Sequence, residues 1–111
     1  MAQLETVEET RFDSEILHSA LPVLVEFTAS WCGPCRAMAP HLEALSQQYA
    51  GRAQVVLVDA EASPKLSTRY GVRGMPTFLL FHHGRVVDSV VGAVPRSKLD
   101  TLLQRYVNVA A

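Results

Sequence analysis

The sequence predicts a single α/β domain over residues 1–111, in which helices cover both faces of a mainly parallel sheet. Short apolar, β-rich runs alternate with helical patterns, in the order strand, helix, strand, helix, strand, hairpin strand and helix. The length of 111 residues and the 49% hydrophobic content fit one domain with an ordinary core. No linker, repeat or low-complexity segment divides the chain.

The chain opens with a possible strand at residues 4–7 and a short helical pattern at residues 10–19. We expect the helix to begin at Thr10, because Thr is a favoured N-cap residue. Apolar side chains recur on one face of this helix and are expected to pack inward: Phe12, Ile16 and Leu17.

A βαβ unit follows. Residues 22–28 and 53–59 are apolar, β-rich runs typical of buried strands. Between them, apolar residues recur every three or four positions over residues 34–49, which predicts a helix that stops at Gly51 and is kinked by Pro40. A right-handed crossover places the turn before this helix at the carboxyl edge of the sheet, where open α/β sheets carry their active sites.

The second half of the chain predicts a short helix, a hairpin and a last helix. Ser63 and Pro64 fit the N-cap and first turn of the short helix. Residues 77–81 and 86–91 are predicted strands of a hairpin that turns across His82-His83-Gly84-Arg85. Pro95 opens the last helix. That helix presents an apolar face made of Leu99, Leu102, Leu103, Tyr106 and Val107.

Charge and hydropathy exclude two classes of partner. Ten basic and eleven acidic residues are scattered along the chain, so no patch indicates binding to nucleic acid or to a membrane surface. The longest apolar stretches have the length of strands and are too short to span a bilayer. The acidic, mixed start of the chain does not resemble a secretory signal. We therefore expect a cytoplasmic protein, and a monomer.

The chain has two cysteines, Cys32 and Cys35, at the predicted junction of strand and helix. A bond between residues so close in sequence constrains the unfolded chain little, so the pair is expected to be reactive rather than structural. Unpaired N–H groups and the helix dipole would stabilise a thiolate on Cys32. We expect Cys32 to be the exposed nucleophile. Cys35 is expected to be shielded behind it and to resolve the mixed disulfide.

Other uses of a Cys-x-x-Cys pair fit less well. A zinc site needs two more ligands, and His41 lies about 120° around the helix from Cys35. Covalent haem attachment needs a His where Arg36 stands. No His can be assigned as the base of a cysteine nucleophile, and His82 and His83 are most simply solvated turn residues. We therefore expect no metal site.

Nearly the whole chain resembles the thioredoxin family. The resemblance rests on the motifs Trp31-Cys32-Gly33-Pro34-Cys35, Ala39-Pro40, Tyr70-Gly71-Val72-Arg73-Gly74-Met75-Pro76-Thr77, Gly84 and Val91-Gly92. It implies a five-stranded mixed sheet of order 1-3-2-4-5 with four helices, and a protein-disulfide reductase that binds no cofactor and works through a Cys32–Cys35 disulfide.

The resemblance also implies a cis bond before Pro76, which would lie against the cysteines. It implies a flat apolar surface for disulfide-bearing protein substrates, made of Trp31, Gly33, Pro34, Gly74, Met75, Pro76, Val91, Gly92 and Ala93. An NADPH-dependent flavoprotein reductase would return the protein to its reduced form.

Three positions depart from the commonest family pattern. Glu26 stands in place of a buried Asp, Leu57 in place of a Lys that often accompanies that acid, and Thr28 in place of an aromatic residue. The apolar neighbours of Glu26 favour burial over a solvated strand position. We expect Glu26 to have a raised pKa and to relay the proton of Cys35.

Two other functions share the same motifs. The protein could oxidise or isomerise disulfides, or it could be a redox-inactive, structural binding subunit of the same fold. The uncharged Gly33-Pro34 pair between the cysteines favours a reductant, because a His there would stabilise the thiolate and make the disulfide more oxidising.

Overall fold

The computed structural model describes residues 4–107 and contains a five-stranded sheet of order β1-β3-β2-β4-β5. Its strands are β1 (Glu5–Thr6), β2 (Val23–Thr28), β3 (Gln54–Asp59), β4 (Thr77–His82) and β5 (Arg85–Val91). The strand order confirms the one that the resemblance implies. β3 runs parallel to both β1 and β2, whereas β4 runs antiparallel to β2 and β5.

The sheet is thus mixed, and the expectation of a mainly parallel sheet fails in the second half of the chain. The helix after β3 has only six residues and, at about 1.5 Å per residue, spans roughly 9 Å. A six-residue strand such as β3 is about 20 Å long. The chain therefore stays at the carboxyl edge of β3, so β4 starts there and runs in the opposite direction.

The main helices are α1 (Gly33–Gln48), α2 (Pro64–Arg69) and α3 (Arg96–Val107). They confirm the predicted helices to within a few residues. Ser63 occupies the N-cap of α2 as predicted, but its side chain makes no capping hydrogen bond. Within residues 4–107, no helix is long and apolar enough to span a bilayer.

The predicted first helix is instead two short irregular turns, a 3₁₀ turn at Glu9–Arg11 and a π-helical turn at Asp13–Leu17. The expected start at Thr10 is wrong, because Glu8 precedes the first turn and makes no side-chain cap. So short a segment gains little from helix propagation, and packing fixes its shape. Its predicted inner residues Phe12 and Ile16 are buried. Counted as one, residues 9–17 complete the four helices.

Two apolar clusters occupy the two faces of the sheet. One contains Phe12 and Ile16 with Leu66 of α2, and the other contains Met38 of α1 with Leu99 of α3. The strand β2 lies between them, and its residues alternate from one cluster to the other: Val23, Val25 and Phe27 face the first, and Leu24 faces the second. By the same alternation, residue 26 faces α1.

The hairpin of β4 and β5 turns at His83 and Gly84, as predicted. Both have positive φ, 53° and 78°, which is the combination of a two-residue type I′ turn. A Cβ at residue 84 would lie 3.0 Å from the carbonyl oxygen of Leu17, which is backbone and cannot move aside cheaply. Gly84 thus serves both the turn and its contact with the π-helical turn.

Gly84→Ala is therefore expected to lower the free energy of unfolding by about 2 kcal/mol, since it adds a steric conflict to left-handed strain. Gly51→Ala is the matched control, because Gly51 has φ +82° but open space around its would-be Cβ. That variant should lose only about 1 kcal/mol. Urea unfolding of both measures the difference, and equal losses would remove the role of the Leu17 contact.

Candidate active site

Cys32 is the N-cap residue of α1 and joins Cys35, one turn into the helix, in a disulfide with a Cα–Cα distance of 5.3 Å. Cys32 adopts an extended conformation, and its Sγ accepts a hydrogen bond from the Cys35 N–H at 3.1 Å. One of the otherwise unpaired N–H groups of the helix start thus points at this sulfur. Such a donor, together with the helix dipole, stabilises negative charge on the Cys32 sulfur.

The expected difference in exposure between the two cysteines is absent from this disulfide form. Cys32 is 3% exposed and Cys35 is 4% exposed. Both pack with Ala29, and Met75 covers the cluster. The disulfide holds the two sulfurs together under this cover, so neither protrudes. Exposure therefore does not single out Cys32, whereas the hydrogen bond from the Cys35 N–H does.

The loop before β4 lies against the cysteines. The Met75–Pro76 bond is cis, which confirms the expectation from the resemblance. The Pro76 carbonyl accepts a hydrogen bond from the Gly92 N–H at 2.8 Å, and the Thr77 hydroxyl donates to the Gly74 carbonyl at 2.6 Å. These bonds hold the loop and the end of β5 together beside the disulfide.

The residues expected to form the substrate surface differ in exposure. Trp31 is 63% exposed and Val91 is 71% exposed, so neither belongs to the core. Met75 and Gly92 are half-buried, and Pro76 is buried. The remaining members are exposed: Gly33, Pro34, Gly74 and Ala93. None of these residues is charged. Trp31, Gly33 and Pro34 adjoin the cysteines in the chain and Met75 packs against them, so we call the whole set the apolar rim of the disulfide.

Glu26 is buried, as expected, with only 2% of its surface exposed. It lies on the central strand β2, opposite Leu57 of β3 and Phe78 of β4. Its Oε2 has no hydrogen-bond partner among the described residues. Burial raises the pKa of the Glu26 carboxyl to about 7. The raised pKa is thus confirmed, and desolvation is its cause.

The placement of Glu26 relates it to Cys35. Glu26 follows Leu24 on the sheet face that α1 covers, and it is nearer the carboxyl end of β2. Because α1 starts beyond that end of β2, Glu26 and the first turn of α1, which carries Cys35, lie toward the same edge of the sheet. Leu57, the neighbour of Glu26, packs in the apolar cluster and offers no charge to the carboxyl. Thr28 is half-buried at the end of β2.

Arg36 makes a contact that the sequence did not predict. Its Nη1 donates a hydrogen bond to the Ser30 carbonyl at 2.9 Å, so the guanidinium returns to the loop before Cys32. No local pattern specifies a bond between a flexible side chain and a carbonyl six positions earlier. Among residues 4–107, no group of three or more His, Cys, Asp or Glu side chains is arranged to hold a metal ion.

Comparison with known proteins gives consistent results. A family model described as Thioredoxin matches residues 3–105. A thioredoxin of Synechocystis sp. is 43% identical over 106 residues, which cover 96% of this chain and 99% of the relative. Thioredoxin 1 of Nostoc sp. is 42% identical with the same coverage. Chloroplastic thioredoxin M5 of Oryza sativa is 42% identical over 96% of this chain and 62% of its own length.

Proposed function

This chain belongs to the thioredoxin family and is a thiol–disulfide oxidoreductase that reduces protein disulfides, and from that premise we propose how its residues divide the work. Cys32 is the attacking nucleophile, Cys35 is the resolving thiol and Glu26 relays a proton. The observation that carries this assignment is the hydrogen bond from the Cys35 N–H to the Cys32 Sγ at the start of α1.

In the first step, the Cys32 thiolate attacks one sulfur of a substrate disulfide. A Cys32–substrate disulfide forms, the substrate S–S bond breaks, and the other substrate sulfur leaves as a thiolate. The Cys35 N–H and the helix dipole stabilise the attacking anion, so Cys32 ionises more readily than an ordinary thiol. Cys35 lies inside the helix and not at its N-cap, and it remains a thiol in this step.

In the second step, Cys35 loses its proton and attacks the Cys32 sulfur. The Cys32–Cys35 disulfide forms, and the second substrate sulfur leaves, so two electrons have passed to the substrate. Glu26 takes the Cys35 proton, directly or through one water. A carboxyl with a pKa of about 7 both accepts and returns a proton near neutral pH.

Substrate binds on the apolar rim around the disulfide. Trp31 and Val91 offer exposed apolar area, and such area on an otherwise charged surface marks an interaction site. The backbone at Met75, next to the cis bond, faces an extended substrate segment that approaches the cysteines. The other members of the surface are Gly33, Pro34, Gly74, Pro76, Gly92 and Ala93.

The finer biological assignments are part of the same proposal. An NADPH-dependent flavoprotein reductase restores the dithiol, and the protein works as a monomer in the cytoplasm. The monomer fits the surface of the protein, because the large apolar side chains exposed among the described residues are Trp31, Val86 and Val91, and two of these belong to the substrate surface. A dithiol that serves as a reductant suits a compartment in which thiols are kept reduced.

A coupled assay tests the route of the electrons. With NADPH, a bacterial flavoprotein thioredoxin reductase and insulin, the protein should cause steady oxidation of NADPH together with precipitation of the insulin B chain. The control replaces the reductase and NADPH by dithiothreitol, which reduces the protein without having to recognise its surface. Insulin reduction with dithiothreitol but none with NADPH and the reductase would overturn the assignment of the reductase and leave the dithiol chemistry in place.

A further inference from the structure

Arg36 places a cation at the start of a helix, where the dipole disfavours positive charge. It lies in the first turn of α1, and its backbone N–H donates to the Cys32 carbonyl at 3.2 Å. A positive charge at a helix N-terminus is repelled by the dipole and lowers helix stability. None of the ion pairs among residues 4–107 involves Arg36, so no carboxylate offsets this cost. The position is thus unfavourable for the helix itself.

The Arg36 side chain is nevertheless held in one place. It is exposed, and an exposed arginine loses substantial rotamer entropy when it is fixed. Its Nη1 bonds to the Ser30 carbonyl at 2.9 Å. This bond closes a loop from residue 30 to residue 36 that contains both cysteines. A second bond, from the Cys32 N–H to the Ala29 carbonyl at 3.1 Å, holds the same segment.

We propose that Arg36 is a positioning residue for Cys32, an inference that rests on the proposed role of Cys32 as nucleophile. When the disulfide opens, the covalent link between residues 32 and 35 is lost. The Arg36–Ser30 bond then keeps the segment before α1 in place, so the Cys32 sulfur stays on the Cys35 N–H. The guanidinium also brings positive charge to the segment that precedes Cys32. Both effects favour the thiolate.

The test titrates Cys32 alone, in a Cys35→Ser background, by the ultraviolet absorbance of its thiolate. Arg36→Gln is expected to leave about threefold to tenfold less thiolate at neutral pH. Arg85→Gln is the matched control, because Arg85 is an exposed arginine at the hairpin turn, at the opposite end of β4 from the site. Equal titration curves for these two variants would overturn the proposal.

Arg36→Lys separates the effect of the Arg36–Ser30 hydrogen bond from the effect of the charge. Lysine keeps the charge but lacks the planar fork of donors, so we expect it to recover only part of the lost thiolate. Complete recovery with lysine would overturn the positioning role, since charge alone would then suffice. The melting temperature of Arg36→Gln should not fall, because the substitution removes a cation from the helix start. A fall comparable to the loss of a core contact would indicate a structural role instead.

A parallel titration in a Cys32→Ser background tests the premise. There Cys35 is the remaining thiol, and the change from Arg36 to Gln should move its titration curve less than it moves the curve of Cys32. A response of Cys35 together with none of Cys32 would show that the assignment of the nucleophile has failed, whereas a response of neither would refute only the role of Arg36.

Discussion

Cys32→Ser is expected to remove all insulin reduction above the rate of dithiothreitol alone, whereas Cys35→Ser should stop after one chemical step. A hydroxyl at residue 32 cannot form the mixed disulfide, and loss of an essential nucleophile can cost a factor of up to about 10⁶. Without the Cys35 thiol, the mixed disulfide forms but cannot be resolved. The two variants therefore fail at different steps.

The difference between the variants is measured with a disulfide-bearing protein substrate in slight excess. Non-reducing gel electrophoresis and mass spectrometry should show a covalent adduct with Cys35→Ser and none with Cys32→Ser, and dithiothreitol should release the adduct. The double variant is the control for non-specific adducts. An adduct with Cys32→Ser and none with Cys35→Ser would reverse the assigned roles of the two thiols. Turnover that survives Cys32→Ser would contradict the dithiol mechanism altogether.

Glu26→Gln is expected to abolish a fall in stability between pH 4.5 and about 7. In the unfolded chain the Glu26 carboxyl ionises near its ordinary pKa of 4.5, whereas burial in the fold raises its pKa to about 7. Below pH 4.5 the carboxyl is neutral in both states and imposes no penalty. As pH rises, the unfolded state releases its proton first, so stability falls, and the loss is complete above pH 7.

The size of this loss follows from the pKa difference. A separation from 4.5 to about 7 corresponds to about 3 kcal/mol. Glutamine keeps the size of the side chain and does not titrate, so at pH 8 the variant should be more stable than the parent by up to this amount. Urea unfolding at several pH values measures the difference. Glu61→Gln is the control, because it makes the same exchange at an exposed residue.

The same Glu26 variant tests the relay. Formation of the mixed disulfide through Cys32 should keep its rate, while its resolution by Cys35 should slow, since the resolving thiol has lost its proton acceptor. Leu57→Lys offers a second probe, because residue 57 lies opposite Glu26 in the sheet. The added cation should lower the pKa of Glu26 and move the stability loss to lower pH. Unchanged turnover and an unchanged pH slope in Glu26→Gln would refute the relay.

The sequence alone determined the features that depend on neighbouring residues. The helical period located α1, Gly84 located the hairpin turn, and the Cys32–Cys35 spacing at a strand-to-helix junction located the site. Each follows from local physics: side-chain periodicity, backbone freedom at positive φ, and unpaired N–H groups at a helix start. The resemblance to the family added the strand order and the cis bond before Pro76.

Only the tertiary structure decided the features that depend on distant segments. Glu26 is desolvated because Leu57 and Phe78 flank it and α1 covers its face of the sheet. Cys32 is covered by Met75 in the disulfide form, although its sequence position indicated exposure. Burial is set by the packing of strands and helices far apart in the chain, so the pKa of a carboxyl and the cover of a sulfur are fixed only when those elements meet.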